Sequence, residues 1–245
     1  MRVEDFLKQS AGRAPAAIAL AAGKRRRLTY AEFLRLADRA GGSFRAHGIT
    51  AQDRVVVYMD DTLEAMIALF AIWMVGGVVV RADPRTSGGE LAAVLAAAGA
   101  TGLVTEARLA RNAAQAMCGA PELKLLVLAG GTPGTRGETC LAFEDAIRGP
   151  ALASNSDKQF DDQVIAIEAV GAEGVTLAVS HRDAVAAVIE SASLSGGGVL
   201  DPRLADALAT IRKGATLVVA ESSGHGFAFA ARSHRTDEVR DFRVA

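Results

Sequence analysis

The sequence predicts an α/β fold in which a mostly parallel sheet is flanked by helices, and three observations carry that reading. Strand-like and helix-like patterns alternate at short intervals through the first two-thirds of the 245 residues, the order that builds a sheet with helices packed on its faces. The run Val55-Val-Val-Tyr-Met59 has no polar alternation, as expected of a strand buried on both faces. The repeated strand, helix, strand order favours parallel pairing through right-handed crossovers.

Each element follows from local chemistry. Glu4 to Gly12 predicts a short helix, and Ile18 to Ala21 with Arg27 to Thr29 a small hairpin around Gly23-Lys24, where glycine supplies the positive φ of the turn. Thr29-Tyr-Ala-Glu32 is a capping box: the hydroxyl accepts from the third backbone N–H while the carboxylate reaches back. It opens a helix to about Ala46, whose Phe33, Leu36, Ala37, Ala40 and Phe44 share one face, and Gly48 ends it. Thr62 caps a helix from Leu63 to Met74, and the strand from Gly77 to Arg81 stops at Asp83-Pro84. Ser87-Gly-Gly-Glu90 is a second capping box, opening a helix to Ala98. Thr101 to Thr105 and Lys124 to Leu128 predict strands with a helix from Glu106 to Met117 between them.

Gly130 to Gly137 and Gly149 to Asp162 are loop-rich. They suggest one α/β subdomain over residues 1–160 and a partial second one, cut short, over 161–245. In the latter, Gln163 to Glu168 and Val175 to Val179 predict strands, Arg182 to Ala192 and Leu200 to Arg212 helices, and Ala215 to Ala220 a strand. From Glu221 onward no element is assigned.

Composition narrows the function classes. With 27 basic and 28 acidic side chains the net charge is −1, unlike a dedicated nucleic-acid binder, which needs excess positive charge. The basic run Lys24 to Arg27 falls at a hairpin turn and reads as a solvated turn. Two cysteines, Cys118 and Cys140, cannot build a disulfide framework or a four-thiolate zinc site. Charges interrupt the first eight residues, against a signal peptide, and a cytoplasmic location is expected. The most apolar stretch, Met66 to Val80, is broken by Gly76-Gly77 and falls short of the roughly 20 residues that span a bilayer. His47, His225 and His234 fall in loops, no Gly-x-Ser-x-Gly elbow occurs, and neither Gly130-Gly131 nor Gly196-Gly-Gly198 leads into Lys-Ser/Thr. No catalytic residue and no metal site is assigned.

The residues from Leu28 to Phe33, Ala37 to Ala40 and Gly48 to Val57 resemble the opening of adenylate-forming enzymes: acyl-CoA synthetases, aryl-CoA ligases and adenylation domains of peptide synthetases. Asp61 to Pro84 is similar to that family's helix, glycine pair, strand and Asp-Pro turn, and Glu90 to Glu106 continues in register. The resemblance implies the N-terminal subdomains of such an enzyme, and an ancestry in ATP- and magnesium-dependent activation of a carboxylic acid, usually followed by transfer to a thiol. It also implies that the adenine-contacting segment, the metal-binding acid, the ribose-binding aspartate and the catalytic lysine lie farther along than Ala245, so the chain spans about half of the usual large domain.

In the place of the family's phosphate loop stands Ala166 to Val179, followed by Ser180-His181. That loop is ordinarily rich in Thr, Ser, Gly and Lys, since hydroxyls, N–H groups and a countercharge must surround an anion. Here Gly171, Gly174 and Thr176 remain, no lysine is present, and Glu168 and Glu173 bring carboxylates. Two like charges a few ångströms apart repel by several kcal/mol at an effective dielectric near 20. The cofactor-binding candidates are therefore Gly171, Gly174, Thr176, Ser180 and His181, in a degenerate loop. Ser180 either caps the following helix with His181 packed at its mouth, or the pair contacts a carboxylate or thioester ligand. The resulting expectation is a truncated, catalytically inactive family member that acts as a binding, regulatory or interaction module. It needs no cofactor, and forms a homo-oligomer or joins a partner protein of acyl or peptide biosynthesis. The alternative is a carboxylate-activating ligase using ATP, magnesium and CoA, completed by a partner chain.

Overall fold

The computed structural model describes all residues except 24, 132–139, 154–162, 172–173, 191–201, 220–228 and 233–245. Side chains of residues 167–171, 174–177, 190, 202–203 and 229–232 are likewise outside the description.

A seven-stranded sheet has the order β7-β6-β5-β3-β4-β8-β9, with β3 Arg54–Tyr58, β4 Val78–Ala82, β5 Gly102–Glu106, β6 Leu125–Ala129, β7 Cys140–Ala142, β8 Val164–Gly171 and β9 Gly174–Ser180. Every neighbour pair is parallel except β8 and β9. A second sheet has the order β11-β10-β1-β2, built from β1 Ile18–Ala22, β2 Arg26–Thr29, β10 Thr216–Val219 and β11 Phe229–Arg232. Its centre pairs β1 with β10 in parallel across almost the whole chain. The helices are α1 Val3–Arg13, α2 Tyr30–Ala46, α3 Leu63–Val75, α4 Gly88–Ala98, α5 Ala110–Met117, α6 Phe143–Ala146, α7 His181–Glu190 and α8 Pro202–Arg212.

The two capping boxes form as the sequence predicts. The Thr29 hydroxyl accepts from the Glu32 N–H at 3.2 Å while Glu32 accepts from the Thr29 N–H at 2.8 Å. Ser87 and Glu90 repeat the arrangement at 3.4 and 2.8 Å. In both pairs the hydrogen bonds hold the glutamate below the usual carboxylate range. Gly23 and Gly48 take positive φ, 55° and 87°, at the predicted turn and helix end. Three elements lie outside the sequence reading: β7 and α6 after the first loop-rich stretch, and β11 beyond Glu221.

The seven-stranded sheet is buried on both faces, and side-chain alternation divides the core. Val55, Val57, Val79 and Val104 join α2 and α3 in one cluster. Val56, Tyr58, Val78, Val80 and Leu103 join Leu91 and Leu95 of α4 and Ala113 and Ala116 of α5 in another. On the first side α3 is buried at every residue except Glu64. Phe70 meets Phe33 and Trp73 edge to face with centroids 5.1 and 5.2 Å apart. The second sheet is held by α1 and α2 on the end of α8. The Tyr30 hydroxyl donates to the Ala215 carbonyl at 2.7 Å, Ser10 to that of Ile211 at 2.7 Å and Arg13 to that of Arg212 at 2.7 Å. Ser10 and Arg13 thereby satisfy carbonyls that the last turn of α8 leaves open.

β7 and β8 lie on opposite sides of the sheet order, so the chain must travel between them. After α6 it is strapped to α2: Ser43 donates to the Ala146 carbonyl at 2.8 Å, and Arg39 to those of Arg148 and Gly149 at 3.1 Å each. The close approach depends on Gly42, where a Cβ would stand 2.1 Å from the Pro150 carbonyl oxygen. Gly42→Ala should therefore destabilise the fold by about 1–3 kcal/mol through overpacking. Gly89→Ala in α4, where a Cβ meets nothing within 4 Å, should instead stabilise by roughly 0.5 kcal/mol. Urea denaturation of the two variants checks the opposite signs.

Candidate functional site

The segment in the phosphate loop's place is a β-hairpin. Its ladder starts at Val164↔Ser180 and continues through Ala166↔Val179 and Ile167↔Ala178 to Gly171↔Gly174, with register shifts along β8. The sequence reading ended the first strand at Glu168 and began the second at Val175; both strands extend farther, and only positions 172 and 173 separate them. Ladder bonds commit N–H groups to partners inside the sheet and keep the backbone extended, whereas an anion cradle needs successive N–H groups converging on one point.

The predicted candidates fall at the two ends of this hairpin. Gly171 and Gly174 face each other at the closed end. Thr176 lies along β9, and Ser180 and His181 stand at the junction of β9 with α7. At the rise of an extended strand, the six steps from Gly174 to Ser180 cover about 20 Å. The side chains of Glu168 and Thr176, and all of Glu173, lie outside the described residues.

At the junction, Ser180 caps α7. Its hydroxyl accepts from the Asp183 N–H at 3.1 Å and donates to the Asp183 carboxylate at 2.7 Å, which also accepts from the Ser180 N–H at 3.3 Å. The His181 N–H donates to the Gln163 carbonyl at 3.1 Å. Its ring is 2% exposed; Nδ1 accepts from the Val3 N–H at 3.2 Å, and Nε2 lies 3.1 and 3.3 Å from Nη2 and Nε of Arg2. Arg2 also pairs with Glu4 at 2.9 Å and donates to the Trp73 carbonyl at 3.4 Å. Glu4 is 1% exposed, with Oε2 at 4.0 Å from His181 Nδ1. Burial pushes the Glu4 carboxyl above its ordinary value, against the pull of Arg2. Sequence reasoning missed Arg2 and Glu4 here, because charges in the first turn of a short helix usually belong to its solvated face.

A second polar group occupies the carboxyl ends of the parallel strands. β4 lies on one side of β3 and β5 on the other, and in open α/β sheets ligands bind outside the strand ends where the order reverses. There Arg108 pairs with Asp60 and, at 2.7 Å, with Glu106, which also accepts from the Asp60 N–H at 3.2 Å. Tyr58 donates to the Thr86 carbonyl at 2.5 Å and accepts from Asn112 at 3.1 Å, tying down the turn after β4. One guanidinium thus bridges two carboxylates here. Among the described residues no group of three or more His, Cys, Asp or Glu could hold a metal ion, and no helix is long and apolar enough to cross a membrane.

The Glu4 environment makes a pH-dependent prediction. A carboxyl whose folded pKa exceeds its unfolded one favours the fold most in acid, and the advantage fades as pH rises through the folded value. Glu4→Gln, which mimics the neutral form, should melt with the parent protein well below pH 4.5, the ordinary glutamate value, and above it at pH 8. Thermal melts across that range check this; a parent more stable than the variant at pH 8 would mean that the Arg2 pair outweighs desolvation.

Comparison with known proteins sets this geometry in a family. The family model described as AMP-binding enzyme matches residues 7–189. Over 108 residues the chain is 36% identical to phosphinothricin tripeptide synthetase PhsC of Streptomyces viridochromogenes, covering 44% of this chain and 10% of that protein. Over 77 residues it is 38% identical to salicyl-AMP ligase / salicyl-S-ArCP synthetase of Mycobacterium tuberculosis, covering 31% and 14%. Coronafacic acid ligase from Pectobacterium brasiliense superposes with a TM-score of 0.79 at 14% identity, over 91% of this chain and 46% of that one. MbtA of Mycobacterium smegmatis superposes with a TM-score of 0.73 at 25% identity, over 89% and 43%. The chain therefore spans less than half the length of each of these relatives. With helices on both faces of its seven-stranded sheet, and a family match that covers well over half its length, the chain belongs to the AMP-binding enzyme family of adenylate-forming ligases.

Proposed function

We propose that this chain does not activate carboxylic acids with ATP by itself and serves as a cytoplasmic binding or interaction module beside acyl- or peptide-assembling ligases. The observation that carries the reading is the hairpin: its ladder runs to Gly171↔Gly174, where the family's chemistry calls for a loop wrapped around phosphates. Sequence supports the same reading, since Ala166 to Val179 contains two glutamates and no lysine. A triphosphate placed there would meet like charge without the countercharge that normally offsets its desolvation. Ser180 and His181 support a structural role too, one capping α7 and the other buried against Arg2 and Val3. The interaction half of the proposal rests on the relatives, which include a tripeptide synthetase and a salicyl-S-ArCP synthetase; a partner in that kind of biosynthesis, or a second copy of this chain, is the expected associate.

One observation favours a second reading, ATP-dependent carboxylate activation with transfer to CoA: the family match continues through the hairpin to residue 189. Titration calorimetry with magnesium-ATP, AMP and CoA, beside pyrophosphate exchange over a panel of carboxylic acids, separates the two. The proposal expects no nucleotide binding tighter than about 1 mM and no exchange above background. Magnesium-dependent ATP binding in the sub-millimolar range, or exchange that disappears in His181→Ala, would establish the second reading. Sedimentation at micromolar concentrations tests association, and a lone monomer both by itself and with ligase partners would remove the interaction role.

A further inference from the structure

We infer that the first turn of α1 is a latch on the β8–β9 hairpin, so that its opening and the loosening of the hairpin's base are one event. The base is held at both strands. On β8, the Ile165 carbonyl accepts from the Trp73 indole at 3.1 Å, and the adjoining Gln163 carbonyl accepts from the His181 N–H at 3.1 Å. On β9, the chain turns directly into α7 at His181. Both anchors converge on the same guanidinium. Arg2 donates to the Trp73 carbonyl at 3.4 Å and stands 3.1 Å from His181 Nε2, while the next residue, Val3, donates its N–H to Nδ1 of the same ring.

The chemistry makes this arrangement cooperative. Trp73 is fully buried, and His181 and Glu4 are 2% and 1% exposed. Withdrawing Arg2 strips Glu4 of its 2.9 Å ion pair, and a buried charge left without its partner is strongly destabilising. It also removes the guanidinium packed at 3.1 Å against the Nε2 edge of the His181 ring, whose Nδ1 accepts from the Val3 N–H. Partial opening is therefore worse than either closed or open, the behaviour of a two-state element. Because coupling is reciprocal, loosening the hairpin at His181 must release α1, just as releasing α1 loosens the hairpin. Whatever engages the first turn of α1, a partner protein included, then reaches the segment in the phosphate loop's place. This inference rests on the contacts alone and holds whether or not the hairpin meets a nucleotide.

Hydrogen exchange read by mass spectrometry on the full chain tests it, comparing Arg2→Met, His181→Gln and the control Lys8→Ala, whose parent side chain is largely exposed and pairs at 3.8 Å with Asp5. Arg2→Met should raise exchange about tenfold or more in both 3–13 and 164–190 while β5 stays protected. His181→Gln should do the same from the other end, and Lys8→Ala should leave the hairpin unchanged. Arg2→Met alone decides the matter if His181→Gln does not fold. Exchange that rises only over 3–13 overturns the latch, and so does a uniform rise that includes β5, which would be a loss of global stability.

Discussion

The rest of the structure depends on burying α3 from all sides. A helix apolar around its whole circumference has no face to give to water, and here every residue but Glu64 is withdrawn. Fully burying each large apolar side chain contributes about 1.5–3 kcal/mol, so this single helix contributes heavily to the core. It has to be walled in. β3 and β4 provide one wall, α2 another, and α1 with the second sheet closes the remainder. Close approach of α2 uses Gly41, where a Cβ would lie 3.2 Å from the Ala71 carbonyl oxygen.

That requirement reaches the candidate site through Trp73. Its indole must find an acceptor once buried, and it finds the Ile165 carbonyl at the base of the hairpin. The main-chain carbonyl of the same residue receives Arg2. The hairpin's base, the start of α7 and the first turn of α1 are therefore positioned by the residue that the central helix had to bury anyway. Family chemistry would demand a loop free to wrap an anion at this point. In this chain β8 and β9 pair there in an antiparallel ladder that runs to Gly171↔Gly174.

Much of the fold could be read from sequence because its signals are local. Thr29 with Glu32, and Ser87 with Glu90, close within four residues, and Val55 to Tyr58 carries its double-sided burial in its own composition. β7 was missed because Cys140–Ala142 is three residues long, too short for any period to declare itself. The extension of β8 and β9 past Glu168 and before Val175 was missed because glycines normally end strands, whereas here Gly171 and Gly174 pair across the closed end.

The candidate site divides in the same way. Sequence alone determined the family resemblance, the missing lysines between Ala166 and Val179, and the Ser180-His181 pair at the head of a helix, since each is a matter of residue type and order. Only the tertiary structure decided that β10 would pair with β1, that the phosphate-loop segment would be a continuous hairpin, and that His181 would close against Arg2 and Val3. The pairing of β1 with β10 and the closure of His181 against Arg2 and Val3 join residues about 180 to 200 positions apart. No local pattern encodes them; they form where burial leaves one polar group facing another with no water between.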